Sequence, residues 1–253
     1  MISLRHSKRQ GRHCIGEALR QGQLSLGDVS DAPSLDAQWL LLHVLGKKEA
    51  SWLQAHGDEE LSDKEECEYR KLVKRRGTGE PLAYILGYWE FYGRRFLVNK
   101  DVMVPRPSTE DLVDETLKVI MKMARRFGGR PLTVADIGTG SGCIIITLAL
   151  ELANFQFFAT DISPAALIMA RKNARIHGVL DRIEFLEGDM LKPLKDKKID
   201  LIVSNPPYLL TEEILPFEPR EALDGGTDGQ DFIKQIEMSG IPAVVEGPGG
   251  QIQ

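Results

Sequence analysis

Cysteine is scarce: only Cys14, Cys67 and Cys143 occur in 253 residues, far apart and never as a C-x-x-C pair. That excludes a disulfide framework and a zinc knuckle, and a reducing, cytoplasmic setting fits best. The five histidines, at 6, 13, 43, 56 and 177, stand away from cysteines and acids at ligand spacing, so no metal is expected. His43 falls in an apolar helical pattern and reads as a packed core residue. Long apolar runs are missing too. The longest, Cys143 to Leu150, is interrupted by Thr147 and stops well short of the roughly 20 residues a membrane-spanning helix needs. Positive charge is not in excess: 32 Lys and Arg against 37 Asp and Glu leave a net charge of −5, which argues against a generic nucleic-acid binder and against stable nucleic-acid binding.

What remains, 42% hydrophobic and 27% charged residues, is the composition of a globular protein and excludes disorder as the dominant state. The length suits one large α/β domain, or a domain of about 150 residues with a smaller companion. Before Glu17 the chain carries Arg5, Lys8, Arg9 and Arg12 without an acid. Lacking an apolar stretch, this segment reads as a basic arm or helix rather than a secretion or targeting leader.

Residues 15 to 86 read as helices only. Leu35, Trp39, Leu42 and Leu45 recur at helical spacing and Gly46 follows as a stop; Ser62-Asp-Lys-Glu65 is a capping box before a helix with Tyr69, Leu72 and Val73 on its apolar face. The run Lys71, Lys74, Arg75, Arg76 reads as a solvated face ending in cations that suit the helix dipole, in preference to a site for an acidic partner. Tyr88 to Asn99 reads as a hairpin turning at Gly93, and Pro105-Arg106-Pro107 as a stiff extended joint. From Ser108 a helix bearing Leu112, Val113, Leu117 and Ile120 leads into β-like runs alternating with helices: 132–137, 155–160, 182–186 and 199–204. Near-continuous apolar strands in such alternation are the pattern of a parallel sheet covered on both faces. The expected organisation is a helical domain over 1–86, a hairpin and proline-rich joint over 87–107, and an α/β domain over 108–253.

At the end of the first of those strands stands Asp136-Ile-Gly138-Thr139-Gly140-Ser141-Gly142, followed at once by a helical run. Glycines let the backbone approach a ligand, and the helix N-terminus offers free N–H donors. The G-x-G-x-G spacing differs from the G-x-G-x-x-G that cradles a pyrophosphate and suits a nucleoside without phosphates. Asp161, at the next strand tip, can grip both hydroxyls of a ribose. Its alternative role is as an acid before the Ser163-Pro164 helix start. The third tip, Gly188-Asp189-Met190, places an acid and an apolar side chain where an adenine would rest. The fourth runs into Asn205-Pro206-Pro207-Tyr208. Two prolines donate no N–H and hold the chain extended, so the Asn205 side-chain oxygen and the Pro206 carbonyl can each accept one N–H of a planar NH2 group, with Tyr208 packing on its flat face.

Asn-Pro-Pro-Tyr after such a glycine turn resembles the S-adenosylmethionine-dependent amino methyltransferases. The chain is most similar to the HemK-type family, which methylates a glutamine side-chain amide in peptide chain release factors. The further matching segments are Leu35-Asp-Ala with Leu41-Leu-His-Val-Leu-Gly46, Gly79-Glu-Pro-Leu-Ala-Tyr-Ile-Leu-Gly87, Val104-Pro-Arg-Pro-Ser-Thr-Glu110, and Glu218-Pro with Ala222-Leu-Asp-Gly-Gly226-Thr-Asp-Gly229. The resemblance, over about residues 15 to 250, implies a Rossmann-like class I methyltransferase domain behind a helical domain that helps dock the release factor. It implies S-adenosylmethionine as cofactor, bounded by Gly138 to Gly142, Asp161, Met190 and Asn205, with Asp189, read from its strand tip, or a neighbouring N–H addressing the adenine amine. It implies that Asn205, Pro206, Pro207 and Tyr208 hold the glutamine, and that Asn205, Pro206 and Tyr208 carry the catalytic roles. A monomer is expected.

The chain departs from the family at Ser108, where many relatives have an acid. If Pro248-Gly249-Gly250 is the turn before the fifth strand, the strands that complete the sheet are missing and the fourth strand is left as an exposed apolar edge. Gly249-Gly250-Gln251 also spells the tripeptide around the target glutamine of release factors; a turn is the reading preferred over self-methylation. Methylation of an exocyclic amine of adenine or guanine in nucleic acid stands as the alternative, with a non-catalytic binding module third.

Overall fold

The computed structural model describes residues 13–207, 217–224 and 230–253. The basic residues Arg5 to Arg12, Tyr208 and the stretch Gly225 to Gly229 lie outside the described residues. The chain divides into two compact units, the first ending at Leu86 and the second running from Gly87 to Gln253.

The first unit packs α1 (Ile15–Leu26), α2 (Pro33–Leu45), α3 (Ala50–Ala55), α4 (Asp63–Arg76) and α5 (Leu82–Leu86). Helix α4 starts as its capping box dictates: the Ser62 amide donates to Glu65 Oε2 at 2.8 Å and the Glu65 amide to Ser62 Oγ at 3.3 Å. Helix α2 stops at Gly46, whose φ of 63° is open to glycine at little cost. Its buried stripe runs through Ala37, Leu40, Leu41 and Leu42, because α2 packs against both α1 and α4. Leu35 is left 52% exposed, and His43, in the last turn, is exposed rather than packed in the core. Three cations of the run are engaged within their own unit: Arg76 Nε donates to Asp36 at 2.6 Å, Arg75 Nε to Glu80 at 2.8 Å, and Lys71 lies 3.5 Å from Glu68.

The second unit opens with a hairpin, β1 (Tyr88–Phe91) and β2 (Arg94–Leu97). Its two-residue turn has φ of 53° at Tyr92 and 67° at Gly93, the doubly positive pattern of a type I′ turn, whose twist matches the strands. Phe91 and Phe96 meet edge to face, buried in the core of this unit. Next come α6 (Ser108–Arg126), β3 (Thr133–Ile137), α7 (Cys143–Glu151), β4 (Gln156–Asp161), α8 (Pro164–Ile176), β5 (Ile183–Glu187), β6 (Leu201–Ser204), α9 (Asp231–Met238) and β7 (Ala243–Val245).

These five strands form one parallel sheet in the order β5-β4-β3-β6-β7. Alternate residues face opposite sides. Val134, Phe157, Ala159, Phe185, Leu201 and Val203 pack with α6, α7 and α8, whereas Ala135, Ile137, Phe158, Ile202 and Val245 pack with Ile233 and Ile236 of α9. This double burial is why the strands are apolar without interruption.

The expectation of an exposed β6 edge is corrected. A fifth strand, Ala243–Val245, lies before the Pro248–Gly250 turn and pairs with β6 through Ile202, Val203 and Ser204. The last residues fold back along the outer side of β7, with Val245 and Gln253 exchanging amide-to-carbonyl bonds at 3.0 and 2.9 Å. Pro248 to Gly250 is a single 3-10 turn that serves this reversal.

Candidate functional site

In an open α/β sheet, connections leave in opposite directions from the strand where the order reverses, opening a crevice at the carboxyl ends. Here that strand is β3, flanked by β4 and β6. A cavity of about 550 Å³ lies at this place, within the range of small-molecule and cofactor sites. Its lining includes the glycine turn, Asp161, Asp189, Met190, Asn205, Pro206 and Pro207, so the structure gathers every proposed site residue that it describes except Gly142.

Gly142 lies in sequence between two lining residues, Ser141 and Cys143. Its φ of 81° and its neighbours leave no room for a side chain, since an added Cβ would lie 2.8 Å from Ile146 Cδ1 and 3.2 Å from Ala170 Cβ. Gly142 therefore lets the first turn of α7 pass close to α8, whereas Gly138, at φ 72°, faces open space. The turn is tied to β4 by the Gly138 and Thr139 amides, both donating to the Thr160 carbonyl at 2.9 Å.

Two carboxylates stand behind and beside this turn. Asp136 is fully buried; Thr139 Oγ1 donates to its Oδ2 at 2.7 Å, while Oδ1 has no hydrogen-bond partner among the described residues. Burial pushes this carboxyl up to about 7 against the lowering effect of the Thr139 bond, and the charge of Asp161 pushes the same way. Asp161 accepts the Gly140 amide on Oδ2 and the Ser163 amide on Oδ1, each at 2.9 Å. Burial raises its carboxyl above the ordinary range, opposed by those two N–H groups. Asp161 thus anchors the segment that starts α8 and also lines the cavity.

At the third tip Asp189 pairs with Lys192 at 2.6 Å on the surface. Met190 holds a φ of 53°, unusual for a residue with a side chain, and its carbonyl takes the Thr160 hydroxyl at 3.3 Å. At the fourth, Asn205 Nδ2 donates to Thr109 Oγ1 at 3.0 Å, and its Oδ1 is buried without a partner among the described residues. A buried amide oxygen left unpaired costs on the order of 1–3 kcal/mol.

Several supporting residues carry no periodic signal and escaped the sequence reading of roles. Thr109 is one. Glu218, buried, accepts the Val104 amide at 3.0 Å and pairs with Arg106, holding the Val104 to Pro107 segment beside the cavity. Asn173 of α8 is wholly buried and accepts the Leu97 amide at 2.8 Å. Its NH2 donates to the Leu97 and Ser141 carbonyls at 3.0 and 2.8 Å, joining hairpin, helix and glycine turn. Ser108 donates to the buried Glu246 at 2.7 Å; an acid in its place would face a second carboxylate. Separations of 32 to 138 residues between partners hid these contacts. Among the described residues no cluster of His, Cys, Asp or Glu is placed to hold a metal ion, and no helix is long and apolar enough to cross a membrane.

Comparison with known proteins agrees with this architecture. Residues 17–87 match the PrmC N-terminal domain family, and residues 109–215 match the methyltransferase small domain family. The chain is 41% identical over 239 residues to the release factor glutamine methyltransferase of Geobacter sulfurreducens, covering 91% of this chain and 78% of that one. It is 40% identical over 245 residues to that of Moorella thermoacetica, covering 94% and 82%, and 38% identical over 216 residues to that of Bacillus cereus, covering 82% and 74%. The chain belongs to the release factor glutamine methyltransferase family.

Proposed function

We propose that this chain transfers a methyl group from S-adenosylmethionine to the side-chain amide nitrogen of a glutamine in a peptide chain release factor. The observation that carries the reading is the Asn205 amide: its NH2 is committed to Thr109 and its buried oxygen is unpaired at the edge of the cavity. The cavity suits the cofactor on the same grounds. Gly138 and Gly140 present bare backbone with open space where a Cβ would stand, and Asp161, already turned inward by two N–H groups, keeps lone pairs for the hydroxyls of a ribose. Thr139, Ser141 and Gly142 complete the turn around the amino-acid end. Met190 gives the adenine an apolar face. With its carboxylate drawn to Lys192, Asp189 is the weaker candidate for the adenine amine.

Bound there, S-adenosylmethionine supplies an electrophilic methyl on a positively charged sulfur. The chain's own contribution is placement. An amide nitrogen is a poor nucleophile because its lone pair is shared with the carbonyl. Acceptance of its two N–H bonds by Asn205 Oδ1 and the Pro206 carbonyl fixes its orientation and stabilises the positive charge that grows on it. Pro207 stiffens this acceptor pair. When bound, the cofactor would give up its methyl carbon to the new C–N bond and keep the C–S bonding pair as a neutral thioether, and the one N–H proton lost would pass to water.

The experiment is transfer of labelled methyl to a release-factor domain, comparing this chain with Asn205→Ala. The variant should lose about 100-fold or more in turnover with cofactor binding largely kept; equal turnover would remove Asn205 from the mechanism. Transfer to nucleic acid instead of the protein would favour the exocyclic-amine alternative.

A further inference from the structure

The unpaired Asn205 oxygen raises a question of orientation. A primary amide is nearly symmetric in shape, so rotation by half a turn would replace the acceptor oxygen with a donor NH2 at little steric cost. Asn205 follows β6 directly, where the two prolines after it offer no N–H to hold the side chain. The one side-chain partner that Asn205 has among the described residues is Thr109, 96 positions earlier in the chain and 2% exposed, in the first turn of α6.

We propose that Thr109 is the positioning residue that anchors the Asn205 side chain and restrains its rotation. The inference rests on the reading of Asn205 as the group that holds the substrate amide. Thr109 Oγ1 accepts from Asn205 Nδ2, which leaves Oδ1 as the free atom.

The placement of Thr109 is itself braced. The Thr109 amide donates to the Arg106 carbonyl at 3.1 Å, and Arg106 and Val104 are both held by the buried Glu218. One residue earlier, Ser108 holds Glu246 at 2.7 Å; one residue later, Glu110 accepts the Tyr92 amide at 2.7 Å. Three consecutive polar side chains thus bind three distant segments, and the middle one fixes Asn205. This gives a physical reason for polar residues in the stretch Ser108-Thr109-Glu110 next to a proline-rich joint.

The test compares Thr109→Val, which keeps the shape and removes the acceptor, with Thr109→Ser, which keeps the acceptor. Turnover of a glutamine-bearing release-factor domain, the dissociation constant for S-adenosylmethionine, and the Asn205 side-chain NH2 resonances are measured for each. Thr109→Val should lower kcat by about 10- to 100-fold, leave cofactor affinity within about threefold, and shift the Asn205 NH2 signals. Thr109→Ser should recover most of kcat and keep the native NH2 shifts. Unchanged kcat in Thr109→Val overturns the proposal, as does a folded Thr109→Ser that is as slow as Thr109→Val. If Thr109→Val does not fold, the serine variant decides alone: native NH2 shifts with kcat within about threefold support the role, and a tenfold loss overturns it. Asn205→Ala separates the two claims. Full activity in that variant defeats the reading of Asn205 itself, whereas an inactive Asn205→Ala beside a fully active Thr109→Val defeats only the role of Thr109.

Discussion

Gly142→Ala and Gly138→Ala are the same chemical change at two ends of one turn, and the structure separates their consequences. Both residues hold positive φ, 81° and 72°, a region that costs a residue with a Cβ about 1–2 kcal/mol. At Gly138 nothing else is added, because no atom stands within 4 Å of the new methyl. At Gly142 the methyl would lie 2.8 Å from Ile146 Cδ1 and 3.3 Å from the backbone Cα of Ala170. Overpacking of this kind costs about a further 1–3 kcal/mol, and the helix backbone cannot rotate away as a side-chain tip can. Gly142→Ala should therefore lose about 2–5 kcal/mol of stability, and Gly138→Ala about 1–2 kcal/mol. The reverse order should hold for ligand binding, since the Gly138 methyl projects where bare backbone faces the cavity, and about a tenfold loss of S-adenosylmethionine affinity is expected. Hydrogen exchange of the β3 and α7 amides reports the stability of the second unit by itself, and calorimetry gives the affinity. Equal stability losses in the two variants, or a Gly142→Ala chain as stable as the parent, would refute the packing argument.

Asp136 should make the second unit less stable as pH rises. Its carboxyl titrates near 3.9 when unfolded and at about 7 when folded, so between these values the folded chain keeps a proton that the unfolded chain has lost, and stability falls until about pH 7. Asp136→Asn should remove that fall in urea midpoints measured on either side of the window; parallel profiles for the two proteins would contradict it. Asn173→Ala strands the Leu97 amide and two carbonyls in a buried place, for an expected loss of about 2–5 kcal/mol; a loss below about 1 kcal/mol in the same exchange experiment would show that water replaces it. Asp161→Ala should weaken S-adenosylmethionine by about 10- to 100-fold while turnover at saturating cofactor stays near the parent value; unchanged affinity by calorimetry would dismiss it as a ribose ligand.

Much of each unit is legible where its signals are local. The strand runs are apolar on both faces, the turn glycines are confined to positive φ, and Ser62 with Glu65 caps α4 within one turn. The cavity lining from Gly138 to Pro207 follows from one rule about strand tips. What is not legible has a common cause. β7 has three residues, too few for periodicity to register, and it becomes a strand because β6 offers an open edge. The buried stripe of α2 is shifted from Leu35 toward Ala37 and Leu41 by two packing partners that no helical wheel contains. Thr109, Asn173, Glu218 and Ser108 act through hydrogen bonds to residues 32 to 138 positions away, where neighbouring sequence holds no trace of the partner. His43 shows the opposite error: an apolar surrounding in sequence became an exposed last turn.

The central claim is that this chain methylates a glutamine amide presented to Asn205. The most direct measurement incubates the purified chain with S-adenosylmethionine and a release-factor domain containing Gly-Gly-Gln, then maps the modified residue by peptide mass spectrometry. One methyl group on the side-chain nitrogen of that glutamine, absent when the glutamine is replaced by glutamate and absent with Asn205→Ala, is the predicted result. Methyl found on another residue, on nucleic acid, or on no acceptor despite cofactor binding would contradict it.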